Sequence, residues 1–187
     1  MFAAMAVVCL VVVCTACGNA ATICLPLPEE TFAAGSSAAV VMQETRIAEN
    51  TLHEAFYNVV CKLYETDSGL NHEIKYIAVD MTSVFENERE ELEAALEPWA
   101  EALGCELLVD TFEGLAEAGH IVVRPIEEAG FRDGVLFQFG DVLLEGKKLT
   151  IKATKYRGPL GAVGAEFTVR FSGGEWVVGE PNTMWVA

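Results

Sequence analysis

Lys147-Lys-Leu-Thr-Ile-Lys-Ala-Thr-Lys-Tyr156, Ala165-Glu-Phe-Thr-Val-Arg-Phe171, Ser172-Gly173-Gly174 and Glu175-Trp-Val-Val178 form the stretch that decides the fold. Successive side chains of a strand point to opposite faces, so a period of two marks a sheet with one dry and one wet side. Leu149, Ile151 and Ala153 oppose Lys148, Thr150, Lys152 and Thr154, and Phe167, Val169 and Phe171 share one face of the next strand. Ser172-Gly173-Gly174 is a tight hairpin turn, after which Glu175–Val178 returns. The reading is an antiparallel meander that needs covering on its apolar side.

Helical patterns upstream supply the cover. Leu52, Phe56, Val59 and Leu63 recur at helical spacing within a helix expected over about 43–65, ended by Ser68-Gly69 and Asn71. Tyr57 and Tyr64 widen its apolar arc, so it is expected to be covered on more than one side. Lys75–Met81 reads as a strand, with Ile77, Val79 and Met81 on one face. A second helix is expected over about 88–103, carrying Leu92, Leu96, Trp99 and Leu103 inward, with acids in its first turns. Pro98 should kink it or split off its last turn. Cys105–Asp110 is another strand, and Thr111 caps a short helix over Phe112 to Ala118. Strand, helix, strand in that order predicts a parallel pair joined by a crossover. With a further strand over Gly134–Phe139, the fold class is α+β: helices packed on a mixed, mainly antiparallel sheet ending in a β-meander.

The N-terminus reads differently. No charged side chain precedes Glu29, and residues 5–16 are an uninterrupted apolar run. A membrane-spanning helix needs about 20 such residues, whereas this run has the length of a signal-peptide core. Cys14-Thr15-Ala16-Cys17-Gly18 follows, with small residues before a cysteine and glycine after it. That pattern resembles the bacterial lipobox and implies acylation of Cys17 and a membrane partner through the lipid. Cys14 stands where the lipobox usually has Leu, and no basic segment precedes the run. A plain secretory signal cut near Ala20 or Ala21, or an uncleaved anchor, are the alternatives. Residues 1–17 are thus the expected signal, 18–45 a flexible tether rich in Ala, Pro, Gly and Ser, and 46–187 a single α+β domain.

The chain carries 12 Lys and Arg against 28 Asp and Glu, a formal charge of −16. Nucleic-acid binding needs clustered cations and is excluded on that balance. Lys147, Lys148, Lys152, Lys155 and Arg157 nevertheless fall within eleven residues, a local positive stripe able to receive an acidic partner, or the solvent face of one strand guarding against edge pairing.

Motifs for chemistry are sparse. His53-Glu54 and His72-Glu73 begin like H-E-x-x-H, but Tyr57 and Tyr76 hold the closing positions, so no zinc site forms that way. Gly158, Gly161 and Gly164 precede a strand, not the helix N-terminus that a phosphate loop requires, and read as a β-connection. Asp80, Asp110, Glu113, Asp133 and Asp141 lie near strand ends, where acid–base pairs often sit, but a solvated acidic surface accounts for them. No cofactor is expected. Cys61 and Cys105 are the domain's only cysteines, and nothing brings them close enough to bridge, so two unpaired thiols are expected. Trp176 and Trp185 close the hairpin region, either lining a pocket between sheet and helix or sealing the core.

The acidic helix between strands, Gly158-Pro-Leu-Gly-Ala-Val-Gly-Ala165, the Gly-Gly-Glu-Trp176 hairpin and the terminal Met-Trp185-Val-Ala resemble a loose group of uncharacterised bacterial exported proteins and lipoproteins. More distantly, a helix-wrapped meander with a glycine–tryptophan hairpin is similar to NTF2-like and cystatin-like domains. The resemblance spans about residues 75–187 and transfers no catalytic residue; with the lipobox-like segment and the sparse motifs, the expected role is a membrane-tethered, extracytoplasmic, non-enzymatic binding or envelope accessory module. Two alternatives go with it. One is a small NTF2-like enzyme with Asp80 or Tyr156 converging in its cone, and the other is a cystatin-like inhibitor or immunity protein wedging the Gly158–Gly164 loop into a partner.

Overall fold

The computed structural model describes residues 51–125 and 128–187. The expected signal, Cys17, the tether and the start of the first helix fall outside them. Helix α1 spans Leu52–Glu65, and a 3-10 turn over Ser68–Asn71 follows. Strand β1 (Tyr76–Asp80) leads through a second 3-10 turn to α2 (Arg89–Ala102), β2 (Glu106–Val109) and the short α3 (Phe112–Glu117). Strands β3 (Gly134–Glu145), β4 (Lys148–Gly158), β5 (Gly161–Ser172), β6 (Glu175–Val178) and β7 (Thr183–Val186) complete the chain. The architecture is α+β, as the alternation and the helical patterns predict.

The strands form one mixed sheet in the order β2-β1-β3-β4-β5-β6, with β7 also on β5. β1 pairs in parallel with both β2 and β3, and all later pairings are antiparallel. The predicted crossover is therefore present, with α2 as its helix. β6 and β7 lie end to end along the same edge of β5, interrupted at Glu180-Pro181. The ladder continues on both sides of that break, through Gly179 N–H to Thr168 O at 3.0 Å and Asn182 N–H to Glu166 O at 2.8 Å. Proline has no N–H to offer there.

One face of the sheet carries the main core. Phe56, Val59, Leu63, Leu92 and Leu96 of the helices meet Ile77, Val79, Phe137, Leu149, Ile151, Phe167 and Val169 of the strands, all buried. The wide apolar arc of α1 is explained here: the sheet covers one side, while Trp99 of α2 meets Tyr57 and Tyr64 edge-on at 6.4 and 5.2 Å. On the opposite face, α3 and the segment around Phe131 cover only Ala78, Leu136 and their neighbours Tyr76, Leu108 and Tyr156. No other described helix packs on that face, where Asp80 and Ala162 are nevertheless buried.

Five local expectations need correction. α2 runs unbroken through Pro98 to Ala102, without a split last turn. β3 continues beyond Phe139, because a bulge between Phe139 and Val142 shifts the register and lets Val142 and Leu144 rejoin the core side. Gly158–Gly164 is no loop: the turn is Pro159-Leu160 alone, and Gly161 to Gly164 already belong to β5. Leu103, expected inward on the second helix, is 41 % exposed just past the end of α2. Without a zinc motif the histidines read as exposed or loop residues, yet His53 is a half-buried residue of α1. The Gly173-Gly174 turn matches its prediction, with φ of 66° and 94° and Ser172 directly opposite Glu175.

Two long-range polar clamps hold the helices in place. The buried Glu88 carboxylate accepts from the His53 backbone N–H at 2.8 Å, supplying a partner to an N-terminal donor of α1 whose own Thr51 cap gives no side-chain bond. At the other end of α1, Lys155 donates to carbonyls at the helix exit and Arg157 to those of Leu70 and His72 just beyond it.

Candidate functional site

The five cations of the β4 stretch do not form one stripe. Lys148 pairs with Glu145 at 3.2 Å, and Lys147 lies in the β3–β4 turn. Lys152 faces outward and donates to Asp141 Oδ2 at 2.7 Å. Lys155 shares the phase of Leu149 and Ile151 and is fully buried on the helix side. Its ammonium donates to the carbonyls of Tyr64, Thr66 and Asp67 at 3.1, 2.5 and 3.0 Å and to Asn71 Oδ1 at 3.1 Å. Burial pushes its pKa down to about 8, opposed by the Asp67 carboxylate. Arg157 donates to the carbonyls of Leu70, His72 and Arg132 at 2.9, 2.6 and 3.2 Å. Lys155 and Arg157 are therefore occupied within the fold. The signal was in the sequence, because position 155 falls on the core phase of an otherwise clean alternation.

A different set comes together on the face away from α1. Asp80 lies opposite Gln138, Gln138 opposite Thr154, Thr154 opposite Gly164, and Gly164 opposite Trp185. Directly opposed residues of a sheet share a face. These five positions are therefore one row across β1, β3, β4, β5 and β7, beside the edge of the α3 cover. A second row runs parallel to it, with Lys152 opposite Glu166 and Glu166 opposite Thr183.

Glycine is required at the Trp185 end. A Cβ on residue 164 would fall within the indole of Trp185, so the ring lies against bare backbone while remaining 49 % exposed. Beside it is a cavity of about 400 Å³ lined by Gly140, Lys152, Thr154, Glu166, Thr183 and Trp185, with backbone from Ala153 and Ala165. The hydrogen bond between Lys152 and Asp141 holds that carboxyl below its ordinary range and raises the lysine, which Glu166 raises further. The cavity therefore offers cation and carboxylate side by side, two hydroxyls and one aromatic surface.

The two tryptophans thus part company. Trp176 is buried at 2 % exposure in the main core, edge-on to Phe171 at 5.4 Å, with its Nε1 lacking a hydrogen-bond partner. Trp185 lies on the other side of the sheet. Neither lines a pocket between sheet and helix.

A second hollow of about 280 Å³ lies at the carboxyl ends of the parallel β1 and β2, with Asp80, Thr82, Arg89, Asp110 and Thr111 around it. Such crevices are common ligand sites in open sheets. Here the side chains are engaged in holding the connection: Asp80 Oδ1 accepts from Thr82 N–H and Oγ1 at 3.0 and 2.7 Å, and Arg89 donates to the carbonyls of Val84 and Thr82. Asp133 pairs with Lys75 at 2.9 Å, and Thr111 Oγ1 caps α3 by accepting from Gly114 N–H at 3.1 Å. Asp80 and Tyr156 both belong to the face away from α1, so they do not converge in a cone between helix and sheet.

Among the described residues no group of His, Cys, Asp and Glu is placed to hold a metal ion, and no helix is long and apolar enough to cross a membrane. Comparison with protein-family models, with curated proteins and with solved structures finds no match to this chain.

Proposed function

We propose that this protein is an extracytoplasmic accessory module, tethered to the membrane through a lipid on Cys17, that acts by binding, with the face of its sheet away from α1 as the binding surface. The observation that carries this reading is the row Asp80–Gln138–Thr154–Gly164–Trp185. An apolar indole kept half in water, over a glycine that admits it, beside the partly exposed Gln138 and Thr154, is an arrangement a ligand would complete. The small residues before Cys17 and the short apolar run support the tether.

Two experiments test the two halves. In a lipid-anchoring host fed labelled fatty acid, Cys17→Ser abolishes labelling and membrane partitioning, while Cys14→Ser leaves most of both. Equal loss from the two variants, or labelling of neither, overturns the tether. For the face, saturation-transfer NMR is run on the purified full chain with neutral oligosaccharides, short peptides and small organic ions. At least one of these classes gives a signal that Trp185→Ala and Thr154→Arg remove. A set of signals insensitive to both variants, or none at all, overturns the binding face.

A further inference from the structure

Building on that reading, we infer that the cavity beside Trp185 is a subsite for a neutral saccharide ring. Its size comes first. About 400 Å³ is at the small end of ligand cavities and suits a small ring rather than a protein surface.

Its charges come next. Lys152 is engaged by Asp141 at 2.7 Å and stands directly opposite Glu166, so an anion entering beside the lysine meets two carboxylates. An organic cation drawn to Glu166 meets the Lys152 ammonium in turn. Neither sign of ligand finds an unbalanced partner there. An uncharged one can use everything present: ammonium hydrogens as donors, carboxylate oxygens as acceptors, and the Thr154 and Thr183 hydroxyls as either.

The aromatic surface decides the ligand's shape. The face of an indole carries partial negative charge, and it attracts the weakly positive C–H groups on the apolar side of a sugar ring. Gly140 carries no side chain, so a ring beside the exposed part of Trp185 can approach the sheet there, with its hydroxyl edge toward Lys152, Thr154 and Glu166. A flat molecule with one apolar face and a rim of hydroxyls matches both halves of the cavity. A peptide strand or a small ion matches only one.

The test is isothermal titration of the purified full chain with cellohexaose, maltohexaose, mannohexaose and hexa-N-acetylchitohexaose. Tetramethylammonium and citrate are titrated as the charged alternatives. At least one oligosaccharide binds, and Trp185→Ala weakens it about tenfold or more, the size expected for losing one stacking surface. Trp185→Phe restores most of the affinity, and Thr154→Val weakens it about threefold. Because the ligand is uncharged, affinity changes less than about twofold between low and high salt. Matching thermal midpoints and near-ultraviolet dichroism keep an affinity loss from being misread as unfolding.

No binding by any of the four sugars, or binding indifferent to Trp185→Ala, overturns the saccharide assignment. Trp185-dependent binding of tetramethylammonium, citrate or a peptide instead also overturns it, yet leaves the binding face standing. Only the failure of every class to depend on that face removes both.

Discussion

The ammonium of Lys155 lies 2.5 Å from the carbonyl oxygen of Thr66, 89 residues earlier in the chain. One buried cation thus joins the middle of β4 to the exit of α1, where helix carbonyls have run out of intrahelical partners. Asn71 completes the arrangement, presenting its oxygen to Lys155 and donating its amide N–H to the Tyr64 carbonyl at 2.7 Å.

Lys155→Met should therefore destabilise the fold by about 3 kcal/mol, because it strips the donor from the Thr66 carbonyl and one donor each from Tyr64, Asp67 and Asn71. Lys152→Met, on the exposed side of the same strand, should cost less than about 1 kcal/mol, since its ion pair with Asp141 is open to water. Urea midpoints of the two variants give the comparison. Equal losses would mean that the carbonyl cluster contributes nothing specific.

The same residue makes stability depend on pH in a stated direction. Its pKa falls from 10.5 to about 8 on folding, driven by burial. Between those values the unfolded chain holds a proton that the folded chain has released, so stability rises with pH across that window. Below about 8 both states are protonated and the term is flat. The stability of the wild type relative to Lys155→Met should increase from neutral pH to about 10, followed by chemical denaturation at each pH. A constant difference would contradict the shift.

The fold was legible wherever local pattern and tertiary demand agree. β4, β5 and the Gly173-Gly174 hairpin announce themselves by alternation and turn chemistry, and Leu52, Phe56, Val59 and Leu63 take the buried positions that their spacing predicts. What escaped depends on partners distant in sequence. The bulge after Phe139 looks like the end of a strand, because it breaks the alternation that Val142 and Leu144 then resume out of phase. Gly164 looks like loop because only the indole of Trp185, 21 residues on, explains a glycine inside β5. Lys155 looks like one lysine of a solvated run because its acceptors come from the other end of the domain. The row was hidden for a simpler reason: a cross-strand row through five strands exists only once four registers are known.

Glu88 offers a sharper test of polar satisfaction. Both of its carboxylate oxygens accept, Oε2 from the His53 backbone N–H and Oε1 from Asn87 Nδ2 at 2.6 Å. An amide in its place must turn its NH2 toward one of those donors. Glu88→Gln is therefore not conservative, and should cost about 1–2 kcal/mol, the range of a lost helix cap with a buried group left unpaired. Thermal unfolding of Glu88→Gln beside Glu54→Gln, an exchange within the first turn of α1, measures it. An unchanged midpoint would show that the contact is dispensable.

Placing a methyl on residue 164 probes the opposite face. The Cβ of Gly164→Ala needs the space of the Trp185 ring, and the ring, being half exposed, can swing away. Stability should fall by about 1 kcal/mol, at the low end for overpacking. Trp185 should become more accessible at the same time, read as stronger acrylamide quenching against a background of Trp99 and the buried Trp176. A variant with unaltered quenching would mean that the indole does not rest on the glycine.

The last prediction concerns the thiols. Cys61 is half-buried on α1 and Cys105 buried at the start of β2, and each is free. Burial pushes both thiols above their ordinary pKa, and the hydrogen bond between Cys61 and Tyr57 only partly offsets it. The thiolate is the reacting species, so in the native protein at neutral pH both should alkylate more slowly than a free cysteine. Each rate should climb about tenfold per pH unit until the shifted pKa is reached. In unfolded, unreduced protein both should react completely. Peptide mapping by mass spectrometry separates them from the four cysteines before residue 25. A linked Cys61–Cys105 peptide pair would contradict the structure directly. Two fully labelled peptides would show that no disulfide joins Cys61 of α1 to Cys105 at the start of β2.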